Sequence, residues 1–144
     1  MKNSMITVEL ERVHGDYGFK GVDAAGHHVN FDTSIEHGGN NFGIRPMQSL
    51  LFALGSCSAI DIISILKKQK QNVTSFKMKI EGVREDTKPI SLWKTINMVL
   101  EFSGQVDEEK ARKACALSIE KYCSVAETLR RAGAEISWNI QINN

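Results

Sequence analysis

The sequence has little of several features that would narrow its function at once. Its 144 residues include only two prolines, three cysteines and 7% aromatic residues, and 18 basic side chains are balanced by 17 acidic ones. A net charge of +1 leaves no basic field able to neutralise many phosphates, which argues against a nucleic-acid partner. No CxxC occurs and the four histidines lack HxxxH spacing, so neither a metal site nor a cofactor is predicted.

Long uninterrupted apolar segments are also missing. Near the N-terminus, Ile6, Val8 and Leu10 alternate with polar residues, which is strand periodicity and contains no apolar core of a secretory signal. The apolar stretch 50–66 is interrupted by three serines and Asp61, so it does not read as a membrane span. An odd number of cysteines fits a reducing compartment better than a disulfide framework, and we therefore expect a cytoplasmic protein with no membrane partner.

The patterns that are present predict one α+β domain over residues 1–144. Its predicted elements are a β-meander (4–13, 17–23 and 27–33), a Gly/Asn-rich loop (34–44), a helix from Pro46 to about Gln71, two antiparallel strands (74–83 and 92–102), a helix from Asp107 to Gly133, and a last strand (135–143).

The first predicted helix is apolar over most of its circumference, which indicates that it is enclosed on nearly all sides. Its length of about 26 residues corresponds to roughly 39 Å, more than one domain of this size usually covers. We therefore expect a second subunit to provide the remaining cover.

Cys57 and Cys123 each lie inside an apolar segment that is predicted to be helical, and they are 66 residues apart. A local redox motif is therefore excluded, and any partnership between them must be made by the fold. A buried thiol pair on two helices suggests redox chemistry, whereas the alternative is that each cysteine is a small buried hydrophobic residue. Cys115 has no comparable surroundings and is predicted to pack in the core.

Asp61 follows Cys57 by one helical turn and shares its face. A carboxylate there would disfavour a thiolate unless it orients a cation, and the alternative is a polar group satisfied at a helix or dimer contact. Trp93 and Trp138, on predicted strands, either cover the core or line a pocket mouth.

Two stretches carry a family resemblance. The first is Arg45-Pro46-Met47-(x)3-Leu51 leading into Ala-Leu-Gly-Ser-Cys-Ser-Ala-Ile-Asp at 53–61, and the second is Tyr-Cys-Ser-Val-Ala at 122–126. Together they resemble the OsmC/Ohr family of osmotically inducible and organic-hydroperoxide-resistance proteins, and the predicted element order covers the whole chain. The resemblance implies an OsmC-like fold with two long helices in an intertwined homodimer.

The same resemblance implies thiol-dependent reduction of organic hydroperoxides. Cys57 would be the peroxidatic thiol and Cys123 the resolving thiol, which closes a disulfide once Cys57 has become a sulfenic acid. The implied partners are a second copy of the chain, a small-molecule hydroperoxide and a thiol reductant that the sequence does not identify.

The chain departs from the family pattern at two positions. Met47 stands where active members carry a glutamate, and the N-terminal hairpin offers Lys20 rather than the family arginine. These departures favour an alternative function, a non-peroxidatic dimer that binds an acyl-like small molecule and keeps its thiols as structural remnants.

Overall fold

The computed structural model describes residues 4–143. They form two compact units, one that ends at Leu50 and one that begins at Leu51. The first long helix, α1 (Pro46–Lys68), begins in the first unit and continues into the second. The mixed α+β fold class is confirmed, whereas the single domain over 1–144 stays a prediction.

The N-terminal unit contains the predicted β-meander. Strands β1 (Val8–His14), β2 (Gly18–Asp23) and β3 (His28–Phe31) pair antiparallel in that order. Positive φ angles of 58° at Gly15 and 91° at Gly26 make the two tight turns, as expected of residues that lack a Cβ. The meander is confirmed, with each strand slightly shorter than predicted.

The predicted loop over 34–44 is organised around one buried carboxylate. Asp32 accepts the backbone N–H groups of Thr33, Asn40 and Phe42 at 2.7, 2.8 and 3.1 Å. The loop also contains a 3₁₀ turn (Ile35–His37), and its last residue, Ile44, forms a parallel bridge to Phe31.

Helix α1 buries one stripe of its surface within the chain. Leu54, Ser58, Ile62 and Leu66 follow one another at four-residue spacing and are fully buried. Phe52 and Ile60, on other faces, are 63% and 69% exposed. As expected of one domain, the chain by itself does not cover the helix on all sides, and enclosure by a second subunit stays a prediction.

By length and composition α1 would suffice to cross a membrane, with a mean hydropathy of 1.9. A core helix of a soluble protein passes the same test, which makes this weak evidence for a span.

The C-terminal unit contains strands β4 (Asn72–Arg84), β5 (Trp93–Gln105) and β6 (Glu135–Asn143) in that order. The antiparallel β4–β5 pair was predicted, but β6 pairs parallel to β5, with Ile96 beside Ile136. The sequence predicts a strand here but not its direction. The helical segments between β5 and β6 return the chain to the same end of the sheet, which makes a parallel neighbour possible. Alternate residues of β5 are buried in the core: Ile96, Met98, Leu100 and Phe102.

The predicted second long helix is interrupted. It consists of α2 (Glu108–Leu117), a π-helical turn (Ser118–Tyr122) and α3 (Ser124–Arg131). The N–H of Cys123 donates to the carbonyl of Ser118, five residues back, at 2.7 Å, and Cys123 itself is extended with φ −75° and ψ 107°. Cys123 therefore lies at a junction between helices, and the prediction that it lies inside one continuous helix is wrong.

Candidate functional site

The fold brings Cys57 and Cys123 together. Cys57, on α1, is partly exposed, while Cys123 is 1% exposed at the start of α3. Their thiols are neighbours, close enough for Cys57 to act on the pKa of Cys123, and no disulfide joins them. Two side chains 66 residues apart in the sequence thus form one thiol pair, and their catalytic roles stay a prediction.

Two donors hold the Cys123 sulfur. The Ser58 hydroxyl donates to Sγ at 3.4 Å, and the backbone N–H of Ala126 donates to it at 3.4 Å as an N-terminal cap of α3. Burial raises the pKa of the Cys123 thiol; the Ser58 hydrogen bond opposes this, and the neighbouring Cys57 adds to it. The sulfur is therefore protonated at neutral pH but carries donors ready to stabilise its anion.

A second serine joins α1 to the π-helical turn. The Ser118 hydroxyl, fully buried, donates to the carbonyl of Ser58 at 3.0 Å and lies 3.4 Å from the carboxylate of Asp61. Of the two interpretations of Asp61, the polar group at a helix contact agrees with this geometry. The contact also ties the backbone on which Ser58 sits to the turn that precedes Cys123.

The π-helical turn has two further anchors. Arg130 Nη1 donates to the carbonyl of Ile119 at 2.9 Å, and Trp138 Nε1 donates to the carboxylate of Glu120 at 2.9 Å. A π turn leaves carbonyls out of the regular helical ladder, and Arg130 satisfies one of them, while Trp138 holds the turn through the Glu120 side chain. They stabilise the irregular backbone that places Cys123 beside Cys57.

A surface cavity of about 350 Å³ opens beside Cys123. Its other lining residues are Lys121, Tyr122, Ser124, Glu127, Thr128 and Arg131. Glu127 is bonded to both Arg130 and Arg131, at 3.3 and 2.9 Å, which partly neutralises the cationic wall. The cavity can admit a small polar molecule to the neighbourhood of the second thiol.

Cys115 is separate from this pair. It is fully buried in α2, and burial raises its pKa to about 12. Its predicted packing role is confirmed. Trp93 and Trp138 both pack against the same core, which agrees with the first of their two interpretations.

The remaining polar candidates have local partners within the N-terminal unit. His14 stacks on Phe42 with ring centroids 4.9 Å apart, and His27 bonds Asp23 at 3.0 Å. Arg45 Nη1 donates to the carbonyl of Gly43 at 2.8 Å. Within residues 4–143, no group of three His, Cys, Asp or Glu side chains is placed to hold a metal ion.

Sequence reasoning missed Ser58, Ser118 and Arg130 as members of the site. The two serines could have been noticed because each places a hydroxyl inside an apolar helical stretch, and a buried hydroxyl needs a hydrogen-bond partner. No local pattern indicates that the partner is a cysteine or a helix carbonyl.

Comparison with known proteins places this geometry in a family. Residues 37–139 match the family described as OsmC-like protein. The protein YhfA of Escherichia coli strain K12 is 36% identical over 118 residues, which cover 79% of this chain and 82% of YhfA.

Solved structures share the fold. A hypothetical protein from Aquifex aeolicus VF5 superposes with a TM-score of 0.80 at 30% identity, covering 98% of this chain and 99% of that one. The organic hydroperoxide resistance protein OsmC of Legionella pneumophila superposes with a TM-score of 0.68 at 15% identity, covering 98% and 99%, a likeness of fold alone. With the element order, the thiol pair and these matches in agreement, the chain belongs to the OsmC-like protein family.

Proposed function

We propose that this protein reduces organic hydroperoxides with the thiol pair Cys57 and Cys123. The observation that carries the proposal is that the two thiols are neighbours, one partly exposed and one buried. The exposed partner can meet a substrate, and the buried one is within reach to form a disulfide. Membership of the OsmC-like family supports the same chemistry.

The proposed reaction has two covalent steps on the protein. The Cys57 thiolate attacks the peroxide, an S–O bond forms as the O–O bond breaks, and an alcohol leaves after taking up a proton. The Cys123 sulfur then attacks the sulfenic acid of Cys57, an S–S bond forms as the S–O bond breaks, and water leaves. An external thiol reductant returns the disulfide to two thiols by exchange.

A homodimer is part of the proposal. Phe52 and Ile60 of α1 are exposed apolar residues, and every residue of β1 is exposed, including Val8 and Leu10. Such surfaces are typical of chains that bury them against a partner. Sedimentation at micromolar concentration should then give about twice 16.0 kDa, and a stable monomer would contradict the dimer. We also propose that the protein works in a reducing, cytoplasmic compartment, since an odd number of cysteines fits such a compartment better than a disulfide framework.

Thiol titration tests the proposed reaction. One equivalent of an alkyl hydroperoxide should remove two thiols per chain, with peptide mapping locating a Cys57–Cys123 disulfide; hydrogen peroxide serves as the comparison oxidant. Cys57→Ser should lose no thiol rapidly, and Cys123→Ser should accumulate a sulfenic acid on Cys57 that a dimedone adduct reveals. Retention of all thiols in the wild type would reject peroxidase chemistry and favour the small-molecule-binding alternative.

A further inference from the structure

The closing of the disulfide makes a specific demand on the Cys123 sulfur. To attack Cys57, Sγ must give up its proton, yet Cys123 is only 1% exposed and no bulk water solvates the resulting charge. Groups of the protein must take the place of that water.

We infer that Ser58 is a positioning residue for disulfide closure, which acts through Cys123: its hydroxyl, together with the backbone N–H of Ala126, stabilises the negative charge that develops on the Cys123 sulfur. For its biological setting the inference rests on the proposed function.

The choice of partner by Ser58 supports this role. A serine inside a helix commonly donates to a carbonyl of the preceding turn, and Ser56 does so, to Phe52 at 2.9 Å. Ser58, fully buried two residues later, donates instead across to the sulfur of Cys123 at 3.4 Å. A buried hydroxyl that donates to a thiol on another segment, and not to a carbonyl of its own helix, is placed to act on that thiol.

The surroundings keep this donor in place. Ser118 donates to the carbonyl of Ser58 at 3.0 Å, which fixes the α1 backbone against the turn that leads into Cys123. Ala126 lies in the first turn of α3, so its N–H has no partner within the helix and is free to donate to Sγ. Sulfur is thus held by one side-chain donor from α1 and one backbone donor from α3.

Other titratable groups lie in the neighbourhood of this sulfur. Cys57 of α1 is the titratable neighbour of the sulfur itself, Asp61 of α1 lies against Ser118, and Lys121, Tyr122, Glu127 and Arg131 line the cavity beside Cys123. Because the Ser58 hydroxyl carries no charge, its removal leaves the charge of all these groups unchanged. Its effect on the closing step can therefore be separated from theirs.

A closure assay that needs no peroxide tests the inference. Excess dithiobis(nitrobenzoate) converts Cys57 to a mixed disulfide, and attack by Cys123 then forms the S–S bond to Cys57 and expels the coloured nitrothiobenzoate anion, with the Cys123 proton passing to buffer. The second release of colour is first order and reports closure alone. Mass spectrometry identifies Cys57 as the labelled residue.

The variants are Ser58→Ala, with Ser56→Ala as the matched control on the same helix. Ser58→Ala should close about tenfold more slowly near neutral pH, as expected for the loss of one hydrogen bond to a charged group. Its rate should reach the wild-type plateau about one pH unit higher, since tenfold corresponds to one unit. Ser56→Ala should match the wild type. Should Ser58→Ala fold poorly, Ser58→Thr serves as the second variant: it keeps the donating hydroxyl and should close at the wild-type rate and pH dependence, and slow closure in a folded Ser58→Thr would count against the inference.

Two results would overturn the inference: closure by Ser58→Ala at the wild-type rate, or slowing by the same factor at every pH, which indicates only displaced packing. These outcomes are independent of the peroxidase proposal. Slow closure in Ser58→Ala with no oxidation of the wild type by alkyl hydroperoxide would reject the proposed function and retain the role of Ser58. Unchanged closure with rapid peroxide oxidation would do the reverse.

Discussion

The reactivity of Cys115 tests quantitatively whether this thiol is unreactive because it is buried, in contrast to the thiol pair Cys57 and Cys123. It is fully buried and its pKa is raised from 9.0 to about 12 by that burial, while the nearby Arg112 acts in the opposite direction. At pH 8 a thiol of pKa 9.0 is about one-tenth thiolate, whereas one of pKa about 12 is about one ten-thousandth thiolate. Since only the thiolate is alkylated, ionisation alone should slow Cys115 by about a thousandfold.

The assay is alkylation of the native protein with iodoacetamide at pH 8, quenched at intervals and mapped by mass spectrometry. Cys115 should stay unmodified over a period in which a small-molecule thiol with a pKa of about 9 reacts to completion. In denaturant the difference should vanish, because unfolding removes the burial that raises the pKa. Oxidation should likewise leave one thiol per chain, on Cys115.

Labelling of native Cys115 within about tenfold of the small-molecule thiol would refute this reasoning. Hydrogen exchange of α2 under the same conditions serves as the control, because local opening of that helix would expose the thiol without any error in its folded-state environment. With α2 protected and Cys115 still reactive, the burial argument would be wrong.

Two further predictions concern stability. Backbone N–H donation from Asn40, and then from Phe42 and Thr33, holds the pKa of Asp32 below its ordinary 3.8, so its stabilising effect is present above the unfolded-state pKa and is lost as pH falls through the folded-state pKa. Asp32→Asn should therefore unfold more easily in urea at about pH 7 than the wild type, and its free energy of unfolding should fall less on acidification. The control Asp16→Asn, in an exposed turn, should behave like the wild type. Equal acid sensitivity of Asp32→Asn and the wild type would contradict this prediction. Lys70 has φ 57° just beyond α1, where the N–H of Gln71 returns to the carbonyl of Leu66 at 2.9 Å, a helix end that favours glycine. In urea titration, Lys70→Gly should raise the free energy of unfolding by about 0.5–1 kcal/mol, whereas the control Lys70→Ala should not raise it. Destabilisation by Lys70→Gly would count against the helix-end argument.

The elements predicted correctly depend on local patterns. Alternation of apolar and polar residues predicted β5 and β6, and glycines that tolerate positive φ predicted the turns of the β-meander. Pro46 marked the start of α1 because a first helical residue needs no N–H partner. In each case the cause lies within a few residues of the effect.

The parallel pairing of β6 could not be predicted in the same way. A strand with one buried face has the same alternation whether its neighbour runs parallel or antiparallel, so the residues of β6 carry no sign of direction. The direction follows from where the intervening helices return the chain.

The break before Cys123 shows the same limit at the site. No glycine or proline interrupts residues 108–132, and the sequence alone therefore predicts a continuous helix. The π-helical turn is stabilised by partners distant in sequence, the Ser58 carbonyl for Ser118 and the Arg130 side chain for the Ile119 carbonyl.

The sequence by itself determined the strands, the first helix, the family and the two cysteines of interest, because periodicity, turn residues and motifs are properties of neighbouring residues. Only the tertiary structure decided that Cys57 and Cys123 meet, that Ser58 donates to the second sulfur and that Cys115 stays apart. Contacts between residues about sixty positions apart depend on how helices pack against each other. No local pattern of residues predicts that packing, because it depends on side chains from distant parts of the chain.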